Sequence, residues 1–194
     1  MKARTHDLAA ATGLALSIVI LSPLPPMSVA TILLAFVANQ LGGIAPDIDQ
    51  PTAPFWRNLP IGGVVGRFVT KMLGGHRFIT HSLIGLVVMG FLVHWLLAVL
   101  QPIMPKMQID IVWWAFMIGM FSHLVMDSFT KEGVPWLLPI PIKFGFPPLR
   151  RLRITTGKGI ENFVVFPLLA VLLAIVCTIF YQLFVELFHS RING

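Results

Sequence analysis

One apolar stretch, residues 109–127, decides the fold, and it reads IDIVWWAFMIGMFSHLVMD. As a helix it is long enough to cross a bilayer, which takes about 20 residues. Trp113 and Trp114 lie near its start, where interfacial aromatic residues belong. His123 and Asp127 stand four residues apart near its end, so a helix places both side chains on one face. Because polar residues inside a membrane are costly and usually functional, this pair is a candidate pair of metal ligands.

The composition of the whole chain extends this interpretation. Of the 194 residues, 56% are hydrophobic and only 11% are charged, whereas a soluble domain carries about 25% charged residues. The single cysteine, Cys177, excludes a disulfide framework. The net charge of +6 is explained by membrane topology, and since the chain has no recognisable binding motif we expect no nucleic-acid partner. We therefore predict a single integral-membrane domain over residues 1–194.

The apolar segments define the predicted architecture. We predict an all-α, polytopic membrane helical bundle with about five transmembrane helices, at residues 8–21, 27–45, 82–100, 109–127 and 161–188. The first segment could instead be a signal peptide, because Ser28-Val-Ala30 resembles a cleavage site. Apolar sequence resumes directly after the preceding prolines, which favours a retained span. Residues 60–73 are too short and too polar to span, and their apolar stripe predicts an amphipathic helix in the membrane interface.

The distribution of basic residues orients the predicted bundle. Cytoplasmic loops of membrane proteins carry an excess of Lys and Arg. With the N-terminus in the cytoplasm, the opposite side keeps only Lys106 and Arg191. The cytoplasmic side then carries Lys2, Arg4, Arg57, Arg67, Lys71, Arg77, Lys131, Lys143, Arg150, Arg151, Arg153 and Lys158. We therefore predict a multi-pass protein of a bacterial-type cytoplasmic (inner) membrane, with a cytoplasmic N-terminus.

This topology brings residues that suit metal binding to one membrane face. The candidates at that face are His6, Asp47, Asp49, His76, His81, His123, Asp127 and Glu161. Imidazole and carboxylate without thiolate suit Zn²⁺ best, with Mn²⁺ or Fe²⁺ as alternatives. The set is larger than one ion with an open position needs, and it would suffice for two or three.

Each motif also has a purely structural interpretation. His123 and Asp127 could form a buried hydrogen-bonded pair. Asp49 could accept backbone N–H bonds in a loop and cap. Glu161 could form an ion pair of small energetic value with a nearby cation. The convergence of all these residues on one face favours the metal site over the separate structural explanations.

Several spaced motifs resemble one known family. The motifs are Pro46-Asp-Ile-Asp49-x-Pro51, His76-Arg-x-x-Thr80-His81-Ser82, Ser122-His-x-x-x-Asp127 and Gly133-Val-Pro-x-Leu-Leu-Pro139, together with Thr5-His6 and Gly157-x-Gly-x-Glu161. They resemble the YdjM/YbcI-type family of membrane-bound metal-dependent hydrolases, which is distantly similar to zinc-dependent phospholipase C. By this resemblance the metal-site positions are His6, Asp47 or Asp49, His76, His81, His123 and Asp127. Phe78 stands where the family pattern commonly has glycine.

The expected function follows from the site and the resemblance together. We expect metal-assisted hydrolysis of a phosphoester-containing lipid or a lipid-linked substrate at the cytoplasmic face of the lipid bilayer. The candidate catalytic carboxylates are Asp49, Asp127 and Glu161. The candidates to hold the phosphate are Arg150, Arg151 and Arg153, which could instead serve topology alone. The rival functions are a divalent-cation transporter and a non-catalytic membrane protein with a structural metal site.

Overall fold

The computed structural model describes residues 1–72, 77–140 and 142–189. Within these ranges the chain is helical, and the only β-structure is two isolated bridges, so the all-α prediction is confirmed. The α-helices are α1 (Ala3–Ile20), α2 (Val29–Ile44), α3 (Pro54–Arg57), α4 (Gly62–Met72), α5 (Leu83–Leu100), α6 (Ile109–Ser128), α7 (Phe166–Ile179) and α8 (Tyr181–His189). Short 3₁₀ turns cover Ala45–Asp49, Gln101–Ile103 and Arg150–Leu152, and a π-helical turn at Glu161–Val165 leads into α7.

Four helical segments of the described chain are long and apolar enough to cross a membrane. They are Val29–Asp49, Leu83–Ile103, Ile109–Ser128 and Glu161–Ile179. This number is close to the predicted count of about five. The first predicted span is helical, as α1, but it is not one of the four. The last predicted span is interrupted at Phe180, which separates α7 from α8.

Close packing of α2 against α6 forms the centre of the bundle. Helices gain little hydrophobic energy from association within lipid, so small residues that permit close approach decide which helices pack together. A Cβ on Gly42 would collide with the Phe116 carbonyl oxygen, and one on Gly119 would collide with the Asn39 carbonyl oxygen. The buried Asn39 side chain also donates a hydrogen bond across the interface to the Ala115 carbonyl, at 3.0 Å. Glycines and one buried amide therefore hold α2 and α6 together.

The other long helices surround this pair. The α1 helix packs against both α2 and α6, and the Cβ of Ala10 lies 3.0 Å from the position that a Cβ on Gly43 would take. On the other side, α5 packs against α6, where Trp113 Nε1 donates to the Gly90 carbonyl at 2.7 Å. The α7 helix lies against α1. As a result α1 packs against three other helices although it carries several polar residues.

A carboxylate joins the first helix to the last long one. Glu161 is fully buried, and its Oε1 accepts hydrogen bonds from the Lys2 backbone N–H at 2.6 Å and the Thr5 hydroxyl at 2.8 Å. Its Oε2 accepts from the Gly157 N–H at 2.5 Å. We call this set of contacts the Glu161 clasp. It fixes the start of α1 beside the start of α7, and so it fixes the position of His6.

The predicted amphipathic helix is present as α4. Its glycine face is packed, since Gly62 and Gly66 are buried and a Cβ on either would collide with Trp56. The opposite face exposes Ile61, Val64, Phe68 and Met72. The Thr70 hydroxyl donates to the Asp49 carbonyl at 2.7 Å. The helix therefore steadies the 3₁₀ turn at Ala45–Asp49 and presents an apolar surface outward.

The long proline-rich connection between α6 and α7 folds back onto the end of α6. Val134 and Phe144 exchange backbone hydrogen bonds of 2.8 and 2.9 Å, and the Phe146 N–H donates to the Ser128 carbonyl at 2.8 Å. The Trp136 indole also donates to the Ser128 hydroxyl, at 2.9 Å. This connection therefore holds the end of α6 that carries His123 and Asp127.

Candidate metal centre

Five of the seven predicted metal ligands meet at one end of the bundle. His6 lies at the start of α1, Asp47 in the 3₁₀ turn after α2, and His81 just before α5. His123 and Asp127 lie in the last two turns of α6. All of these side chains are buried except that of Asp47, which is 22% exposed. The backbone directions of four different elements thus bring distant residues to one place.

The ligand atoms form two overlapping triads. One triad is His6, His123 and Asp127, and the other is Asp47, His81 and His123. Within each triad the possible ligand atoms lie within 4.8 Å of one another. His123 belongs to both, so it is the residue that links the two halves of the centre.

The spacing of these atoms suits coordination of a common ion. His6 Nε2 lies 3.3 Å from Asp127 Oδ1. His123 Nε2 lies 3.7 Å from Asp47 Oδ1 and 3.8 Å from Asp127 Oδ2. Two ligands held about 2.1 Å from one ion in tetrahedral geometry stand about 3.4 Å apart. The donor set and its spacing therefore fit a divalent metal.

The tautomer of His123 also fits a ligand. Its Nδ1 lies 2.6 Å from the Gly43 carbonyl oxygen, which can only accept, so Nδ1 carries the proton and donates. In the neutral ring, Nε2 then has a lone pair, and it is buried with no hydrogen bond to any residue that the structure describes. The 3.8 Å separation from Asp127 Oδ2 is too long for a hydrogen bond. The alternative of a simple buried hydrogen-bonded pair is therefore wrong.

His6 and His123 share one side of the centre. Their rings are stacked with centroids 3.6 Å apart and planes inclined by 9°. Both ring nitrogens of His6 are buried without a hydrogen bond within the described part of the chain. Buried polar groups almost always have partners, so these nitrogens are a second sign that the centre is built for a ligand.

Asp49 supports His81 and lies outside the two triads. The Thr80 hydroxyl donates to Asp49 Oδ2 and lies 3.0 Å from His81 Nδ1. His81 Nδ1 is itself 3.3 Å from Asp49 Oδ2. Carboxylates that contact a ligand imidazole on its far side fix its orientation and tautomer. The geometry therefore gives Asp49 a role in positioning His81. The neighbouring Ser82 caps α5, because its hydroxyl accepts a hydrogen bond from the Gly85 N–H.

Asp127 has cationic partners at both oxygens. The Met1 ammonium group lies 2.5 Å from Oδ1, and Arg77 Nη2 lies 2.5 Å from Oδ2. A buried carboxylate requires such compensation, because desolvation of an unpaired charge is costly. A metal held by Asp127 would share the carboxylate with these groups.

The remaining predicted residues lie away from the triads or outside the described chain. His76 lies outside the described residues. Glu161 is engaged in the Glu161 clasp, which positions His6 through α1. Arg150 donates to the Lys131 carbonyl at 3.0 Å, and Arg153 donates to the Pro147 carbonyl at 2.8 Å. Arg151 is exposed on the 3₁₀ turn beside them.

Sequence reasoning missed a buried residue that contacts the centre, Arg77, whose guanidinium lies against Asp127. In the sequence it resembles the other basic residues of the cytoplasmic loops, although it follows His76 directly in a candidate motif. That position was the available signal. Among the described non-glycine residues, only Arg77 has a positive φ, at 58°. The substitution of Phe78 for the family's glycine therefore creates no left-handed strain at residue 78.

Comparisons with known proteins agree with the fold. The profile of the family described as YdjM inner membrane protein matches residues 1–186. A protein of Bacillus subtilis (strain 168) named Uncharacterized protein YvsG is 31% identical over 154 residues, which cover 79% of this chain and 80% of that protein. No solved structure matches. The profile match over nearly the whole length confirms the resemblance, and the chain belongs to the YdjM inner membrane protein family.

Proposed function

We propose that this protein is a membrane-bound, metal-dependent hydrolase that acts on phosphoester-containing lipids or lipid-linked substrates at the cytoplasmic face. The observation that carries the proposal is the pair of triads that meet at His123, in which every side chain except that of Asp47 is buried. Their imidazole and carboxylate donors suit Zn²⁺, with Mn²⁺ or Fe²⁺ as alternatives, and two triads offer room for more than one ion.

The residues divide into distinct roles. A bound divalent metal supplies Lewis acidity and a water of lowered pKa. His6, His81, His123 and Asp127 would hold the metal in surroundings from which bulk water is excluded. Asp47, the partly exposed carboxylate of the second triad, would hold the metal on the side that an attacking water can reach. Asp49 positions His81 in this scheme.

The position of the centre favours hydrolysis over transport. Transport sites usually lie near the bilayer midplane, whereas these ligands lie at the ends of helices or in the turns beside them. The exposed apolar face of α4, on a helix bonded to the turn that carries Asp47, suits the approach of a lipid substrate. Basic residues concentrated on the loops at this end support the cytoplasmic assignment.

Elemental analysis followed by a lipid assay tests the proposal. We expect purified wild-type protein to contain a stoichiometric transition metal that His123→Ala loses. His94→Ala is the matched control, since its side chain is 49% exposed and contacts Asp110, at 3.7 Å, and the Trp113 ring, both outside the two triads. Turnover is then sought with phosphatidic acid, phosphatidylglycerol and a polyprenyl diphosphate.

Three outcomes decide between the candidate functions. Wild-type protein without bound transition metal contradicts the proposal. Bound metal with cation uptake into proteoliposomes, abolished by Asp127→Ala, supports a transporter instead. Bound metal with neither uptake nor lipid hydrolysis supports a structural metal site.

A further inference from the structure

The guanidinium of Arg77 is built into the candidate centre. The residue is only 5% exposed, and its Nη2 lies 2.5 Å from Asp127 Oδ2. Its Nη1 donates to the Thr130 hydroxyl at 3.0 Å and lies 3.1 Å from the Glu132 carboxylate. Asp127 Oδ2 is in turn 3.7 Å from His81 Nε2. One carboxylate oxygen thus separates the guanidinium from a candidate metal-ligand atom.

The contacts of Arg77 leave part of its hydrogen-bonding capacity unused. A guanidinium has five N–H donors in a fixed fork. One of these donors, on Nη1, is used by the Thr130 hydroxyl, and the carboxylates of Asp127 and Glu132 lie within ion-pair distance of Nη2 and Nη1. Nε is buried and makes no hydrogen bond with any described residue. A buried donor almost always has a partner, so the unused edge of the fork indicates a ligand with acceptor oxygens.

The backbone of Arg77 indicates that its position is functional. Its φ of 58° lies in the left-handed region, which side-chain-bearing residues seldom adopt. The Arg77 N–H donates to Asp49 Oδ2 at 2.9 Å, and that carboxylate also contacts His81. Strained backbone of this kind persists where the surroundings hold it and is concentrated at functional sites. Asp49 therefore fixes Arg77 and His81 relative to each other.

We propose that Arg77 is an anion subsite, where its unused N–H donors receive a tetrahedral oxyanion, the phosphate group of the substrate, beside the metal centre. This inference rests on the proposed function and names the group that the site recognises. The planar fork matches two oxygens of one phosphate. Arg150 and Arg153, which the sequence suggested for this role, donate instead to loop carbonyls.

Equilibrium binding of inorganic phosphate to purified full-length protein tests the subsite. We expect Arg77→Lys, which keeps the charge but loses the fork, to weaken phosphate binding by about tenfold or more. Arg153→Lys is the matched control and should bind phosphate as the wild type does. Nanodiscs of phosphatidylcholine with or without phosphatidic acid compete with free phosphate and distinguish a lipid headgroup from the free ion as the preferred ligand.

A measurement on the wild-type protein tests the subsite even if Arg77→Lys does not fold. In protein labelled with ¹⁵N-arginine, the Arg77 Nε–H resonance is identified as a solvent-protected resonance that Arg77→Lys loses and Arg153→Lys keeps. We expect this resonance to shift when phosphate is added. Wild-type phosphate affinity in Arg77→Lys would overturn the subsite, and so would an equal loss of phosphate affinity in Arg77→Lys and Arg153→Lys. An Arg77 Nε–H resonance that does not shift when phosphate is added would also overturn it.

These readouts separate the subsite from the hydrolase proposal, because binding needs no turnover. Arg77-dependent phosphate binding in a protein that hydrolyses no lipid would end the hydrolase proposal and keep the subsite. Lipid hydrolysis with unchanged kcat and KM in Arg77→Lys, together with unchanged phosphate affinity, would end the subsite and keep the hydrolase proposal.

Discussion

The close contact between α2 and α6 predicts that Gly119→Ala damages the metal centre from outside it. A Cβ at residue 119 would fall well inside 3.0 Å of the Asn39 carbonyl oxygen. That oxygen belongs to the backbone of α2, so it cannot turn aside as the end of a flexible side chain can. We expect the two helices to part by about 1 Å at this crossing, which approaches ordinary van der Waals spacing.

If the candidate centre holds a metal as proposed, its geometry would turn this displacement into a loss of metal affinity. His123 lies one turn beyond Gly119 on α6, and Asp47 follows the end of α2. His123 Nε2 and Asp47 Oδ1 are 3.7 Å apart, and two ligands bound to one ion at about 2.1 Å can be at most about 4.2 Å apart. An increase of about 1 Å exceeds this limit. We therefore expect metal affinity to fall about tenfold or more, and overpacking to lower the free energy of unfolding by about 1–3 kcal/mol.

Gly63→Ala supplies the control, because an added Cβ there meets nothing within 4 Å. Alanine is favoured over glycine inside a helix, so this variant should gain up to about 1 kcal/mol and keep its metal affinity. Thermal unfolding in detergent and zinc competition with a chromophoric chelator measure both quantities. Wild-type stability in Gly119→Ala would refute the close packing, and lowered stability with unchanged zinc affinity would refute its coupling to the centre.

Three further substitutions test single contacts. Thr80→Val removes the hydroxyl between Asp49 and His81, so zinc affinity measured by chelator competition should fall about 10–100-fold. Thr80→Ser is the control, and unchanged zinc affinity in Thr80→Val would contradict the positioning role of Asp49. Glu161→Gln leaves donors of the Glu161 clasp facing an amide, so the free energy of unfolding should fall by about 1–3 kcal/mol, measured by thermal unfolding; unchanged stability contradicts the clasp. Asn39→Leu loses an interhelical hydrogen bond, so the free energy of unfolding should fall by about 0.6–1.7 kcal/mol in the same assay. A variant more stable than the wild type would show that this hydrogen bond is not stabilising.

The sequence predicts the bundle and the meeting place of the ligands because both depend on period and length. A bilayer demands long apolar helices, and alternate helix ends must lie on the same side. His123, Asp127 and Asp47 lie at or beside such ends, so counting spans is enough to bring them together. The amphipathic stripe of α4 is recognisable for the same reason.

The roles of individual residues depend on contacts that no periodicity encodes. Asp47 and Asp49 are two residues apart, yet Asp49 supports His81 from behind whereas Asp47 lies in a triad with His81. Arg77 resembles any other topology charge until the fold buries it against Asp127. The α1 helix carries Arg4, His6 and Asp7, so its composition understates how well its neighbours enclose it. These distinctions arise from tertiary packing.

The Glu161 clasp has a consequence for the order in which the molecule is assembled. His6 precedes Glu161 in the chain, and the carboxylate that anchors its helix is more than 150 residues later than the groups that it binds at the start of α1. During translation α1 must therefore wait, without that anchor, until the start of the last long helix has left the ribosome. If His6 holds an ion as proposed, that ion would be bound securely only after Glu161 has been synthesised and has anchored α1.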